Sequence, residues 1–164
     1  MTVTPFRIGQ GVDVHAFSAD PHRVLVLGGV PLRGAPGLDG HSDADVLLHA
    51  VVDALLGAAG LGDIGAVFGF DDPRYAGADS GVFVEETAAR IARAGWAVGN
   101  VDATLVAARP RLGPHLEAMR TTTAALLRAD PGAVNIKATT TDGLGALGRG
   151  EGIACLAVAL LTRP

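Results

Sequence analysis

The chain has 164 residues, 49% of them hydrophobic and 18% charged, with a formal net charge of −4. That length suits one domain with a full core, and the negative balance excludes nonspecific nucleic-acid binding. The longest apolar run, Ile153 to Leu161, is too short to span a bilayer, so no membrane partner is expected.

No basic-then-apolar leader opens the sequence, and a cytoplasmic location is the expectation. Cys155 is the single cysteine; it forms no internal disulfide and reads as a core residue. There are 23 glycines, about twice the usual share, which implies tight loops and backbone amides free to approach phosphates. A GC-rich genome gives the same enrichment. Lys137 is the only lysine.

In chain order, Phe6 to Val14 reads as a strand, with Asp13 and His15 at its end, two apart and pointing the same way. Arg23 to Leu27 is a second strand, and Arg33 to Gly40 reads as loop. Ser42 and Asp45 have capping-box spacing before an apolar run, which predicts a helix from about Asp43 to about Gly60. Asp45, His49 and Asp53 then share one face of it. A Gly- and Asp-rich loop follows, through Asp63, Gly65 and Phe68 to Asp72. Ser80 caps a second helix running to about Ala94. Trp96 to Ala107 is strand-like, with Val101, Ala103 and Leu105 on one side. Residues 109–113 form a turn, and Pro114 opens a third helix ending near Asp130. Val134 to Ala138 and Glu151 to Leu161 are strands flanking a Gly-rich loop. The order β β α α β α β β predicts a single α+β domain, residues 1–164. Its mixed sheet has four to five strands with helices packed on one face, ferredoxin-like in character.

Asp13 and His15 on a strand end and His49 on a helix offer one oxygen and two nitrogens. That donor set suits zinc and leaves a fourth position open for substrate. Asp45 or Asp53 would orient the His49 ring. The plainer alternative is an exposed strand end and a solvated helix edge. Thr139-Thr140-Thr141-Asp142, ahead of four glycines, offers hydroxyls and amides to a phosphate, with a carboxylate that needs a bridging cation. A simple cluster of turns fits the same residues.

Several segments together resemble the 2-C-methyl-D-erythritol 2,4-cyclodiphosphate synthases. They are Arg7-Ile8-Gly9-x-Gly11-x-Asp13-Val14-His15-Ala16-Phe17, Gly40-His41-Ser42-Asp43-x-Asp45-Val46-Leu47-Leu48-His49-Ala50 and Gly62-Asp63-Ile64-Gly65. Asn135-x-Lys137-Ala138-Thr139-Thr140-Thr141 and Gly148-Arg149-Gly150-Glu151-Gly152 complete the set. The likeness runs nearly end to end. It implies zinc on Asp13, His15 and His49, and a second divalent cation, Mg2+ or Mn2+, on Asp142. It implies that His41 and Thr140 stabilise the transition state, and that His41 and Ser42 hold the methylerythritol phosphate beside Asp13 and His15. Asp63 and Gly65 would contact the erythritol hydroxyls. Phe68, Gly69, Phe70, Asp71 and Asp72 would line the substrate loop. Ala107, Ala108, Arg109, Pro110, Arg111, Leu112 and Gly113, with Thr139 to Asp142, would hold the cytidine diphosphate.

The family works as a homotrimer with active sites between subunits. A central cavity near Arg149 and Glu151 would take an isoprenoid diphosphate. The chain departs from the family in having Asp142 for glutamate, Phe70 for a loop carboxylate and Gly113 for a larger apolar residue. Two other readings fit parts of the pattern: a zinc phosphoesterase acting on a related nucleotide, and a noncatalytic trimeric binder of isoprenoid diphosphates.

Overall fold

The computed structural model describes residues 5–69 and 72–163. Four strands form the main sheet: β1 Phe6–Ala16, β4 Ala97–Val106, β5 Val134–Thr139 and β6 Gly152–Thr162. Their order is β1-β6-β4-β5, and a separate hairpin pairs β2 Val24–Leu27 with β3 Val30–Pro36. The helices are α1 Val46–Ala59, α2 Ile64–Phe68, α3 Gly81–Arg93, α4 Leu116–Leu127 and α5 Gly145–Gly148. The predicted α+β class and the mixed sheet are present.

Two expectations change. Arg33 to Gly40 is not all loop, because β3 runs to Pro36. Its prolines hid it from the sequence pattern. Pro31 and Pro36 both lie in a two-stranded ribbon with an unpaired side, where a missing N–H costs no ladder bond. The helix expected to begin near Asp43 under a Ser42 cap begins at Val46 instead. Asp45 is the cap, its carboxylate accepting from Leu47 N and Leu48 N, both at 3.1 Å. Its two oxygens also accept from Gly28 N at 2.9 Å and Gly29 N at 2.7 Å. A fully buried carboxylate is tolerated here because four amides solvate it.

In the sheet, β6 is antiparallel to both β1 and β4, and β5 is parallel to β4. Thus β1, β4 and β5 all run one way and finish at one end. Asp13 is level with Cys155, Leu105 and Ala138 across the four strands.

The helix-facing row of β1 is Gly9, Gly11, Asp13 and His15, four residues at period two. A Cβ at Gly9 would lie 2.0 Å from Ala54 O, and one at Gly11 would lie 1.9 Å from Ala50 O. The glycines therefore let α1 lie directly on the β1 backbone, and its N-terminal turn meets Asp13 and His15. Within α1 only His49, Asp53 and Gly57 escape full burial, a stripe four residues apart. Among the described residues, no helix covers the opposite sheet face. Ile8, Val12, Val14, Leu156 and Val158 stand between 42% and 66% exposed there.

Candidate active site

Asp13 and His15 from β1 and His49 from α1 converge, with one donor atom from each lying within 4.8 Å of the others. Asp13 Oδ2 is 3.1 Å from His15 Nε2 and 3.0 Å from His49 Nδ1. The two rings therefore present different nitrogens. His15 Nδ1–H donates to the Asp39 carbonyl at 2.6 Å, which makes Nε2 the nitrogen turned toward Asp13. Gly40 makes room for this ring, since a Cβ there would lie 3.0 Å from His15 Cε1. Two imidazole nitrogens turned toward one carboxylate oxygen fit a divalent cation that takes the place of any proton between them.

Asp45 and Asp53 do not orient His49, contrary to expectation. Asp45 is committed to the α1 cap and the hairpin turn, and Asp53 Oδ1 accepts from Ile64 N at 2.8 Å, tying α2 to α1. The His49 Nε2 partner is Ser80 Oγ at 2.8 Å. Ser80 occupies the N-cap position of α3 but makes no side-chain cap bond. Sequence reasoning missed this role because a serine before a helix already had a sufficient explanation.

Burial by itself pushes the Asp13 carboxyl up, but the His15 hydrogen bond and the adjoining His49 ring outweigh it and hold the group well below the ordinary range. The hydrogen bond to Asp13 raises His15 above its ordinary value, against the opposing effect of burial. Both shifts stabilise the metal-free fold. The Asp13 contribution is present above its unfolded value of 3.8 and is lost as pH falls through the lower folded value. The His15 contribution is full below 6.5 and is lost as pH rises through the raised folded value. Chelator-treated protein should therefore hold its highest melting temperature between pH 3.8 and 6.5 as far as this pair is concerned. Metal must displace the His15 proton, so the increment in melting temperature on adding zinc should grow as pH rises. Scanning calorimetry across that range checks it. A zinc increment that is independent of pH would mean that no proton is displaced.

Around the centre, Ser42 is buried and its hydroxyl turns toward His49 Nε2 at 3.3 Å. His41 is exposed and donates from Nε2 to the Asp72 carbonyl at 3.0 Å. Asp72 accepts from the Arg74 guanidinium through both carboxylate oxygens. Asp63 caps α2 through Ala66 N at 2.8 Å, and Gly65 lies in that helix. Gly69 ends α2 with an exposed backbone. Phe68 is buried against Phe83 and Tyr75, which makes it a wall residue and not an open contact. Phe70 and Asp71 lie outside the described residues.

The late loops meet each other. The parallel strands β4 and β5 deliver their C-terminal ends side by side, and Ala107 N donates to the Thr139 carbonyl at 3.0 Å. A pocket of about 260 Å³ opens there, lined by Ala107, Ala108, Pro110, Arg111, Leu112 and Ala138 to Thr140. Gly113 follows this lining, exposed and with open space around its Cα. Arg109 points elsewhere, over the Phe17 ring and toward the Gly150 carbonyl. Thr140 Oγ1 donates to Asp142 Oδ1 at 3.1 Å, and Thr141 Oγ1 donates to the Leu144 carbonyl. Asp142 has φ 51, a left-handed conformation that aspartate tolerates better than most residues.

Arg149 pairs with Glu151 at 2.6 Å, and Lys137 pairs with Asp102. Cys155 is buried and its thiol is pushed up by that burial, which suits a core residue and not a nucleophile. None of the helices is long and apolar enough to cross a membrane, among the described residues.

Comparison with known proteins agrees with this geometry. The 2-C-methyl-D-erythritol 2,4-cyclodiphosphate synthase of Azoarcus sp. (strain BH72) is 58% identical over 159 residues, 97% of each chain. The bifunctional IspDF from Campylobacter jejuni has a structure that matches 97% of this chain and 42% of its own, at 38% identity and a TM-score of 0.92. A CDP complex of IspF from Plasmodium falciparum matches 99% of both chains at 31% identity and a TM-score of 0.85. The YgbB family model covers residues 6–162, and with the shared fold and these relatives it follows that the chain belongs to the YgbB family.

Proposed function

We propose that the protein is a cyclodiphosphate-forming phosphorus–oxygen lyase of the non-mevalonate isoprenoid pathway, working in the cytoplasm. Its substrate is 4-diphosphocytidyl-2-C-methyl-D-erythritol 2-phosphate. An oxygen of the 2-phosphate attacks the β-phosphorus. The bond from that phosphorus to the oxygen bridging the α-phosphorus breaks, and cytidine monophosphate leaves with that oxygen and its electron pair. The product is 2-C-methyl-D-erythritol 2,4-cyclodiphosphate.

The observation that carries this reading is the pair of sites at one end of one sheet: three metal-type ligands at the β1 edge and a nucleotide-sized pocket beyond β4 and β5. The nucleophile is already an anion, so no general base is needed. Catalysis then rests on positioning and charge neutralisation. Asp13, His15 and His49 would hold Zn2+, and Asp142 a second divalent cation, Mg2+ or Mn2+; when bound, these ions polarise and neutralise phosphate oxygens. His41 and Thr140 would exchange their present acceptors, the Asp72 carbonyl and Asp142, for phosphate oxygens as charge shifts. His41, Ser42, Asp63, Gly65 and the loop ending at Asp72 receive the methylerythritol phosphate. The loop from Ala107 to Gly113 and residues Thr139 to Thr141 receive the cytidine diphosphate.

The two halves sit at opposite edges of the sheet, three strand spacings or about 14 Å apart. The uncovered apolar face offers a surface for further copies of the chain. A homotrimer would bring the metal edge of one copy against the late loops of the next. Its axis would then carry Arg149 and Glu151 around a cavity suited to an isoprenoid diphosphate.

Phosphorus NMR of the purified protein with the cytidyl substrate and both metals tests the reaction. Two coupled resonances of a cyclic diphosphate beside free cytidine monophosphate are expected. A linear phosphate product would indicate a hydrolase, and unchanged substrate would indicate a binder.

A further inference from the structure

Ser80 is fully buried, yet it belongs to none of the substrate or metal contacts proposed above. Its surroundings fix where its proton goes. Asp43 sits between two donors of Ser80: Oδ2 accepts from Ser80 N at 3.1 Å, and Oδ1 accepts from the Ser80 hydroxyl. Asp43 Oδ1 also accepts from Asp45 N at 3.1 Å. Both oxygens of this carboxylate are taken up as acceptors. The single Ser80 hydroxyl proton is therefore committed to Asp43. What Ser80 Oγ offers His49 Nε2, 2.8 Å away, is a lone pair. Nε2 must carry the ring proton to use it. A neutral imidazole with its proton on Nε2 has its lone pair on Nδ1, the nitrogen 3.0 Å from Asp13 Oδ2.

We propose that Ser80, anchored by Asp43, is a positioning residue that fixes the tautomer and rotation of His49 so that Nδ1 faces the metal. The proposal rests on the reading of Asp13, His15 and His49 as a metal centre. Other neighbours of the ring do not supply the same constraint. Ser42 Oγ lies farther off at 3.3 Å and already accepts from Ala44 N. Phe83, two residues into α3, packs its ring at 6.0 Å and fixes the plane without choosing a nitrogen. The first turn of α3 thus provides both the wall and the acceptor. The arrangement mirrors His15, where a backbone carbonyl takes the Nδ1 proton and Nε2 faces the centre. The two histidines use opposite nitrogens because their acceptors lie on opposite sides of the ring.

The test compares wild type, Ser80→Ala and Ser80→Thr, with His49→Ala to assign ring signals. Zinc affinity is measured by competition with a chelator, and the imidazole tautomer by nitrogen NMR of histidine-labelled protein. Wild type should show a protonated Nε2 and a metal-shifted Nδ1 for His49. Ser80→Ala should bind zinc about 10–100-fold more weakly and show mixed tautomers in the metal-free state. Ser80→Thr, which keeps the hydroxyl, should recover most of the affinity. Wild-type affinity and a wild-type tautomer in folded Ser80→Ala would overturn the proposal. Should Ser80→Ala fail to fold, Asp43→Asn carries the test, because the Ser80 proton is no longer drawn to a carboxylate. A single unchanged Nε2–H tautomer with undiminished affinity in that variant overturns it equally. Failure of the metal-centre reading looks different: wild type itself would take up no zinc at one equivalent, and the proposal would fall with it.

Discussion

His49→Ala should empty the metal centre and abolish turnover while the chain stays folded. His49 is the only ligand that α1 contributes; without it the remaining two are neighbours on one strand and offer only two donors. The loss should exceed the ~10–100-fold expected for a supporting residue, because a direct ligand is removed. Its side chain is 12% exposed and lies at the rim of the core, so its truncation leaves no sealed apolar cavity. The expected stability cost is only about 1–2 kcal/mol. Zinc content by atomic emission and a substrate-turnover assay on the same preparation check this. Zinc retained at wild-type stoichiometry would remove His49 from the ligand set.

Gly11→Ala should show the opposite pattern, with the fold itself failing. The new Cβ would meet Ala50 O at 1.9 Å and Ala54 N at 2.7 Å, and both are backbone atoms of a helix that cannot rotate away. Relief requires α1 to lift from β1 along its length. Overpacking of this kind costs about 3 kcal/mol, and backbone-to-backbone contact belongs at the high end. Urea unfolding should show the midpoint falling sharply, and zinc affinity should fall with it because His49 moves away from Asp13. Gly113→Ala is the control, since no atom lies within 4 Å of the Cβ it would gain. Equal midpoints for the two variants would mean that α1 does not rest on the β1 backbone.

The convergence of Asp13, His15 and His49 was legible in the sequence because two simple periods place them. Alternation sets Asp13 and His15 on one face of a strand, and the helical repeat sets His49 on the stripe that escapes full burial. The glycines at 9 and 11 are the contact that brings the helix to that strand. Ser80 could not be read, since its bond to His49 spans 31 residues and no local pattern encodes it. Asp45 was read in two roles, capping-box partner and ionisable stripe, and the structure gives it the cap with the hairpin amides besides. Its link to Gly28 and Gly29 is tertiary and leaves no local trace. The hairpin strand β3 was hidden by Pro31 and Pro36, which punctuate a sequence even where an edge strand accepts them. Thr139 to Asp142 was legible as a phosphate-type segment, and Ala107 to Gly113 as its companion only through the family resemblance. That they share one pocket depends on the parallel pairing of β4 with β5, which only the fold supplies.

The pairing of β1 has a kinetic consequence. Its only strand neighbour among the described residues is β6, and Phe6 pairs with Thr162 at one end while Ala16 pairs with Gly152 at the other. A nascent chain displays Asp13, His15 and His49 long before β6 has been synthesised. Until then the strand that carries two of those groups has no ladder to hold it straight. Joining the first strand to the last closes the longest loop in the molecule, and contacts of that sequence separation form slowly. The finished geometry of the Asp13, His15 and His49 cluster is therefore reached late in biogenesis, once the final strand has joined the sheet.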